Sequence, residues 1–371
     1  MSFADMKKPT AIRIALAGVG NCANSLVQGI AYYASSSEAA LDGLMQPEIG
    51  GWRVGDIKVV AAFDIDRRKV GHPLGEAILA QPNCAMTLVP AERLPTEPVV
   101  QMGPVLDGVA PHMVAYPEER AFRVSDAPVV DVAEILRQER VDVLVSYMPV
   151  GSDQATRHYA QACLEAGCAM VNCTPSFIAS DPEWAQRFVD AGLPIVGDDI
   201  KSQLGATIIH RALTRLFGDR GIRLRHTYQL NVGGNTDFLN MLARDRLTSK
   251  KISKTNAVQS QLPSPLPEGS ISIGPSDYVP WQKDQKVAFI RMEGEGFAGA
   301  PLELELRLSV QDSPNSAGVV IDAIRYAAIA LQQGRAGPVD EACSWLMKSP
   351  PTQLRDEDAR RQLEACTADI S

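Results

Sequence analysis

The chain has 371 residues, 45% of them hydrophobic and 22% charged, with a net charge of −8 and a pI near 5.3. That length fits two or three domains, or one large domain with an insertion, in an ordinary globular composition. The acidic balance argues against nucleic acid as a partner, because backbone binding needs a basic face, but a local lysine cluster can still hold a small anion.

Met1–Thr10 carries Lys7 and Lys8 and leads only into a short apolar run without signal-peptide flanks. No apolar stretch reaches transmembrane length, so the reading is a cytoplasmic protein with no membrane partner. Ile12–Ala17 is a short buried strand, followed by a glycine turn and a helical pattern through Leu26, Val27 and Ile30. Ser35–Gly55 is a polar, Gly-rich excursion. Ile57–Phe63 is a second strand ending on Asp64, and residues 65–125 read as loops with short strands. Then come a helix (Val129–Gln138), a strand (Val141–Tyr147), a helix (Asp153–Ala166), a strand (Ala169–Asn172), a helix (Pro182–Ala191), a strand (Pro194–Gly197) and a helix (Gly205–Phe217). Unbroken apolar strands alternating with helices point to a parallel sheet covered on both faces. Leu224–Val232, Val287–Glu293 and the alternating Leu302–Val310 then suggest an antiparallel sheet, before a final helical region from Gly318. The fold class is α/β, a Rossmann-type doubly wound parallel sheet with an inserted α+β domain. Residues 1–199 with 311–371 are expected to form the first domain and 200–310 the second.

Gly18-x-Gly20-x-x-Ala23, after a strand and before a helix, matches the dinucleotide fingerprint. The first glycine permits a tight turn, the second lets backbone approach a pyrophosphate, and the small third residue lets helix and strand pack closely. Asp64 ends the second strand, where an acid binds the adenosine ribose and favours NAD. Its separation from the loop is about twice the usual ~20 residues, which the excursion at 35–55 accounts for, and Asp66 is a rival. The seven cysteines include no CxxC pair and read as free thiols packed as small hydrophobes.

Three polar segments stand out in the second half. In Gly197–Thr207, Ser202, Gln203 and the amides near Gly205 could hold a phosphate at a helix N-terminus. In the second, Asn231–Asp237 precedes Ser249–Thr255, where Lys250 and Lys254 are four apart and share a face if helical, so an anion should sit between them. The third joins Asp284–Val287, Gln311–Ser316 and Leu346–Pro350.

Taken together, the segments GVGNCANSLVQGI (18–30), VLVSYMPVGS (143–152), VGDDIKSQLGAT (196–207), QLNVGGNTDFLNML (229–242), SKKISKT (249–255), IGPSDYVPW (273–281), QDSPNSAGVVIDA (311–323) and LMKSPP (346–351) resemble the myo-inositol-phosphate synthase family in its short prokaryotic form. The resemblance covers nearly the whole chain. It implies NAD, used and regenerated within one turnover, and conversion of glucose 6-phosphate to 1D-myo-inositol 3-phosphate. The steps are C5 oxidation, enolisation, intramolecular aldol closure and re-reduction. It implies catalytic roles for Lys250, Lys254, Lys286, Lys348, Asp199 and Asp312. Cofactor contacts fall at Gly18, Val19, Gly20, Asn21, Cys22, Ala23, Asp64 and Ser146, and substrate contacts at Ser202, Gln203, Asn235 and Asp237. Crowded lysines are expected to have a lowered pKa and to serve as bases. The resemblance also implies a homotetramer and leaves a divalent or monovalent cation open, with the metal site unknown. A related cyclase acting on another sugar phosphate, such as fructose 6-phosphate, is the alternative.

Overall fold

A computed structural model describes residues 10–34, 41–262 and 264–368; the side chains of 245, 248, 250, 251, 275 and 366–368 lie outside the description. The first half alternates strand and helix: β1 (Ile12–Ala17), α1 (Asn21–Ala34), the short β2 (Glu48–Ile49) and β3 (Trp52–Arg53), β4 (Ile57–Asp64), α2 (Leu74–Ala77), β5 (Gln101–Met102), α3 (Val132–Gln138), β6 (Val143–Ser146), α4 (Asp153–Ala166), β7 (Ala169–Asn172), α5 (Pro182–Asp190) and β8 (Pro194–Val196). Next come α6 (Ala206–Asp219), β9 (Arg223–Gly233), α7 (Thr236–Asn240), α8 (Thr248–Gln259), β10 (Ile271–Tyr278), β11 (Gln285–Glu295) and β12 (Pro301–Gln311). The chain closes with α9 (Asp312–Gln332), β13 (Gly337–Pro338), α10 (Asp340–Leu346) and α11 (Asp356–Ala368).

Seven strands form one sheet in the order β13-β8-β7-β6-β1-β4-β5, and the pairings are parallel. This is a doubly wound sheet whose strand order reverses between β1 and β6, the place where such folds bind ligands. β6, β7 and β8 are buried along their full length, as expected of strands covered on both faces. Local chemistry marks the helix ends. Asp131 caps α3, Asp181 caps α5 ahead of Pro182, and Gly167 ends α4 in the left-handed region.

β9 to β12 build a second, four-stranded sheet in the order β10-β9-β11-β12. The expected antiparallel sheet needs correction: β10 runs parallel to β9, while β9/β11 and β11/β12 are antiparallel. β10 escapes the sequence reading because Gly274 and Pro275 interrupt its pattern, and its register slips between Ile273 and Ser276. The inner face of this sheet, including Ala288, Ile290, Met292, Leu304, Leu306 and Leu308, joins a core with Ile209 and Leu213 of α6.

α9 begins six residues earlier than Gly318. The run Asp-Ser-Pro-Asn-Ser reads as a loop, but proline is tolerated in a first helical turn, where its missing N–H costs nothing. Asp312, Ser313 and Ser316 therefore sit at the N-terminal end of a 21-residue helix buried over most of its length, which packs on α1, β7 and β8.

Candidate active site

The start of α1, the loops after β6, β7 and β8, and the second sheet with α7 and α8 enclose a cavity of about 200 Å³. Gly20, Asn21 and Cys22 line one wall, Ser202 and Gly205–Ile208 another, and Asn235, Asp237, Lys254, Lys286, Asp312 and Lys348 the rest, with Asp199 at the junction. Residues separated by more than three hundred positions thus share one space. Lys250 lies on α8 one turn before Lys254, and its side chain is outside the described residues.

The lysines are interleaved with carboxylates. Lys348 Nζ donates to Asp199 Oδ1 at 2.7 Å and to the Ile200 carbonyl at 2.7 Å. Ser253 on α8 donates to the other Asp199 oxygen at 2.7 Å. Lys286 Nζ donates to Asp312 Oδ1 at 3.1 Å. Burial opposes the charge of Lys286, but Asp312, with Asp237 and Asp199, outweighs it and raises its pKa. The expectation of a lysine with a lowered pKa therefore fails here. Lys286 is held as an ammonium because carboxylates, not other lysines, are its dominant neighbours.

Asp284 and Ser313 lie in polar segments visible in the sequence, which gives neither residue a role. Asp284 accepts from Asn235 Nδ2 at 2.9 Å, Ser313 Oγ at 2.7 Å and Ser313 N at 3.0 Å. Burial, and then the charge of Asp312, push its carboxyl up to about 6. Asn235 also caps α7 through the Asp237 and Phe238 amides, so its amide group shapes the wall. Ser253 was the other omission; its signal was its place three residues after Lys250 on a helical segment.

Gln203 does not line the cavity. Its side chain donates to the Gly43 carbonyl at 2.6 Å and packs where a Cβ on Gly318 would lie. The phosphate expectation thus rests on Ser202 and the amides opening α6, whose N-cap is Gly205. Buried Lys201 is likewise turned away from the cavity, toward the carbonyls of Ser344 and Trp345.

At the other wall, Gly18 has φ +95°, and a Cβ there would approach the Tyr147 carbonyl to 3.0 Å. A Cβ on Gly20 would meet nothing within 4 Å, leaving the kind of opening a pyrophosphate needs. Asp64 Oδ2 accepts from Val19 N at 2.7 Å, and its Oδ1 from the Ile65 and Asp66 amides. The carboxylate thus shapes the glycine loop directly. Asp66, the rival, is fully buried and bound to Arg68 and the Arg123 amide. Val19 O accepts from buried Lys69 at 2.8 Å and from Asn83 at 3.0 Å. Asn21 spends its side-chain oxygen on the Cys84 and Ala85 amides, and small Ala23 is wholly buried in the helix–sheet packing. Ser146, at the end of β6, and Ser316, on the cavity wall, carry buried hydroxyls with no protein partner. Cys22 stays a neutral thiol: burial, then Asp312, Asp284 and Asp237, push it up to about 12. The six described cysteines are free thiols. Among the described residues no cluster of three or more His, Cys, Asp or Glu is arranged to hold a metal ion, and no helix is long and apolar enough to cross a membrane.

A fingerprint loop at the switch point of a doubly wound sheet, opening into a lysine- and carboxylate-lined cavity, defines a Rossmann-type enzyme of the dinucleotide-binding class. Residues 205–313 match the family model described as myo-inositol-1-phosphate synthase. The inositol-3-phosphate synthase of Mycolicibacterium smegmatis is 54% identical over 358 residues, 95% of this chain and 97% of the relative. That of Corynebacterium glutamicum is 54% identical over 360 residues, 95% of this chain and 97% of the relative. The crystal structure of Ari2 superposes with a TM-score of 0.75 at 38% identity, covering 96% of this chain and 99% of that one. A myo-inositol-1-phosphate synthase-related protein from Thermotoga maritima shares the fold, with a TM-score of 0.77 at 23% identity over 96% of this chain and 98% of its own. The chain belongs to the myo-inositol-1-phosphate synthase family.

Proposed function

We propose that this enzyme converts D-glucose 6-phosphate to 1D-myo-inositol 3-phosphate with bound NAD. The observation that carries the reading is the convergence of Lys254, Lys286 and Lys348 with Asp199, Asp237 and Asp312 in a cavity that reaches the glycine loop. The residues fit NAD: Gly18, Gly20 and the α1 N-terminus suit its pyrophosphate, with Asp64 and Ser146 beside them. When bound, NAD supplies oxidation at C5 and, later in the same turnover, the reverse reduction.

The remaining work falls to the protein. The phosphate sits against Ser202 and the first amides of α6, where helix N–H groups favour an anion. Gln203 joins it only on release from Gly43. Asp237 binds sugar hydroxyls beside Asn235, which frames that wall. The Asp199–Lys348 pair moves the protons: Asp199 accepts, and Lys348 and Ser253 hold its carboxylate in place. Lys286, kept charged by Asp312, offsets the negative charge that develops on the enolate and then on the C1 oxygen during ring closure. Lys254 adds to that field, and Lys250, one turn earlier on α8, is proposed for the same role.

We further propose that residues 1–199 with 311–371 form the NAD-binding domain and 200–310 the catalytic and oligomerisation domain of a cytoplasmic homotetramer. Support for assembly comes from the open face of the second sheet, where Leu230 and Phe289 pair across strands and are 48% and 41% exposed. Light scattering on the purified protein tests the tetramer. Cation dependence is measured separately, with EDTA and with potassium or ammonium in place of sodium.

The deciding experiment incubates the enzyme with glucose 6-phosphate and NAD, and in parallel with fructose 6-phosphate, and identifies products by NMR. Inositol phosphate from glucose 6-phosphate without net NADH is expected. Stoichiometric NADH, or a carbocycle only from fructose 6-phosphate, overturns the proposal.

A further inference from the structure

The C-terminal segment touches none of the cavity, yet three of the cavity-bearing segments meet on one of its side chains. Asp356 opens α11 with its carboxylate directed inward. Arg211 of α6, fully buried, donates to it at 2.7 Å and 3.2 Å. The same guanidinium donates to the Ala257 carbonyl at 2.6 Å and to Ser260 Oγ at 2.9 Å, and so grips the C-terminal end of α8, the helix of Ser253 and Lys254. Lys201, 2% exposed, reaches Asp356 at 3.5 Å while donating to the Ser344 and Trp345 carbonyls at 2.8 Å and 3.0 Å. Lys201 belongs to the loop after β8 that presents Asp199. Its backbone donates to Leu346 O, and Lys348 N donates to Asp199 O, so this segment and the Lys348 segment are laced together.

We propose that Asp356 is a positioning residue for the reaction centre. It fixes, through Arg211 and Lys201, the relative placement of the α8 lysine face, the Asp199 segment and the Lys348 segment. This role rests on the function proposed above.

The physical reason is charge. Two cations are buried at this junction, and no other carboxylate among the described residues lies within ion-pairing distance of either. Burying an ammonium or guanidinium without a counter-charge is strongly unfavourable, so the cations hold α11 in place and α11 holds them. Burial opposes the charge of Asp356, but Lys201 and Arg211 outweigh it and keep the carboxyl below its usual range. Burial, then the neighbouring Arg211, lower Lys201 to about 7, so its charge depends on this carboxylate. Ala359 and Leu363 are buried against the body of the protein, which seats the helix independently of the ion pairs.

The test uses the full chain carrying Asp356→Asn, with amide hydrogen exchange and steady-state kinetics. Exchange is expected to rise in 248–259 and 344–349 and to stay unchanged in β1 and α1. On the kinetic side, kcat per folded molecule is expected to fall roughly ten- to hundredfold, the loss typical of a displaced catalytic group, while the Kd for NAD stays within about twofold. Asp356→Glu keeps the charge and moves the carboxylate by one methylene, so it retains the fold and gives a smaller change of the same kind. Unchanged exchange in both segments overturns the proposal. A lower Tm with wild-type kcat per folded molecule does so too, because it leaves Asp356 a purely structural role. Exchange is read without substrate, so a wild-type enzyme that makes no inositol phosphate overturns the function while exchange still decides the junction.

Discussion

Asp199→Asn probes the centre of the site most directly. The substitution keeps shape, and asparagine tolerates the left-handed backbone found there (φ +61°). It removes the charge opposite Lys348, leaving the side-chain oxygen as a neutral acceptor. The pair is shielded, with side chains 5% and 15% exposed, so solvent screening takes little from it. Losing a buried partner outright costs about 3–5 kcal/mol. Here Lys348 keeps the Ile200 carbonyl and one neutral acceptor, so the expected loss is that of a charge-assisted bond, about 1.5–3 kcal/mol. At about 2–4 °C per kcal/mol, Tm falls by roughly 3–12 °C in thermal unfolding followed by circular dichroism. The effect on chemistry is larger: kcat for inositol phosphate formation drops about 10²- to 10⁴-fold, the range for removing a positioned acid–base group. NAD binding, titrated by fluorescence, is expected to change less than kcat, because the Asp199 carboxylate is held by Lys348 and Ser253. A variant with wild-type Tm and kcat within about threefold of wild type would refute both the ion pair and the assignment of proton transfer to it.

Gly20→Ala is expected to fold with unchanged Tm, since its Cβ meets no protein atom, yet to weaken NAD binding at least about tenfold by occupying the space for the pyrophosphate; calorimetric titration checks this. Burial lowers His210 to about 4, against its bond to Gln229, so this group contributes stability above pH 6.5 that is lost as pH falls toward 4. Urea unfolding of His210→Gln and wild type should show that pH dependence, about 3 kcal/mol in total, only in wild type. Asp284 has the opposite sign. Raised to about 6 from 3.8, it binds its proton more tightly when folded, so its contribution falls as pH rises from about 4 through 6. Asp284→Asn is expected to lack that decline, and its unfolding free energy relative to wild type should rise between pH 4 and 7; a flat difference refutes the assignment.

The sequence by itself determined the doubly wound sheet and the place of its glycine loop. Unbroken apolar runs such as Val143–Val145 suit a strand covered on both faces, and Gly18-x-Gly20 permits a turn that other residues resist. Both are local consequences of backbone and side-chain chemistry, so they are readable along the chain. The polar segments were visible as well, because lysine and aspartate beside apolar runs need partners. Who partners whom was decided by tertiary structure. The pairing of Lys348 with Asp199 spans 149 positions and that of Lys286 with Asp312 spans 26, and no local signal encodes either. The same holds for the parallel docking of β10, the turning of Gln203 toward Gly43, and the meeting of Lys201 and Arg211 on Asp356. Each depends on which surfaces the folded sheets bring together, and electrostatic character follows from that proximity. Lys286 is therefore a stabilised cation in a cluster whose composition alone suggested a base.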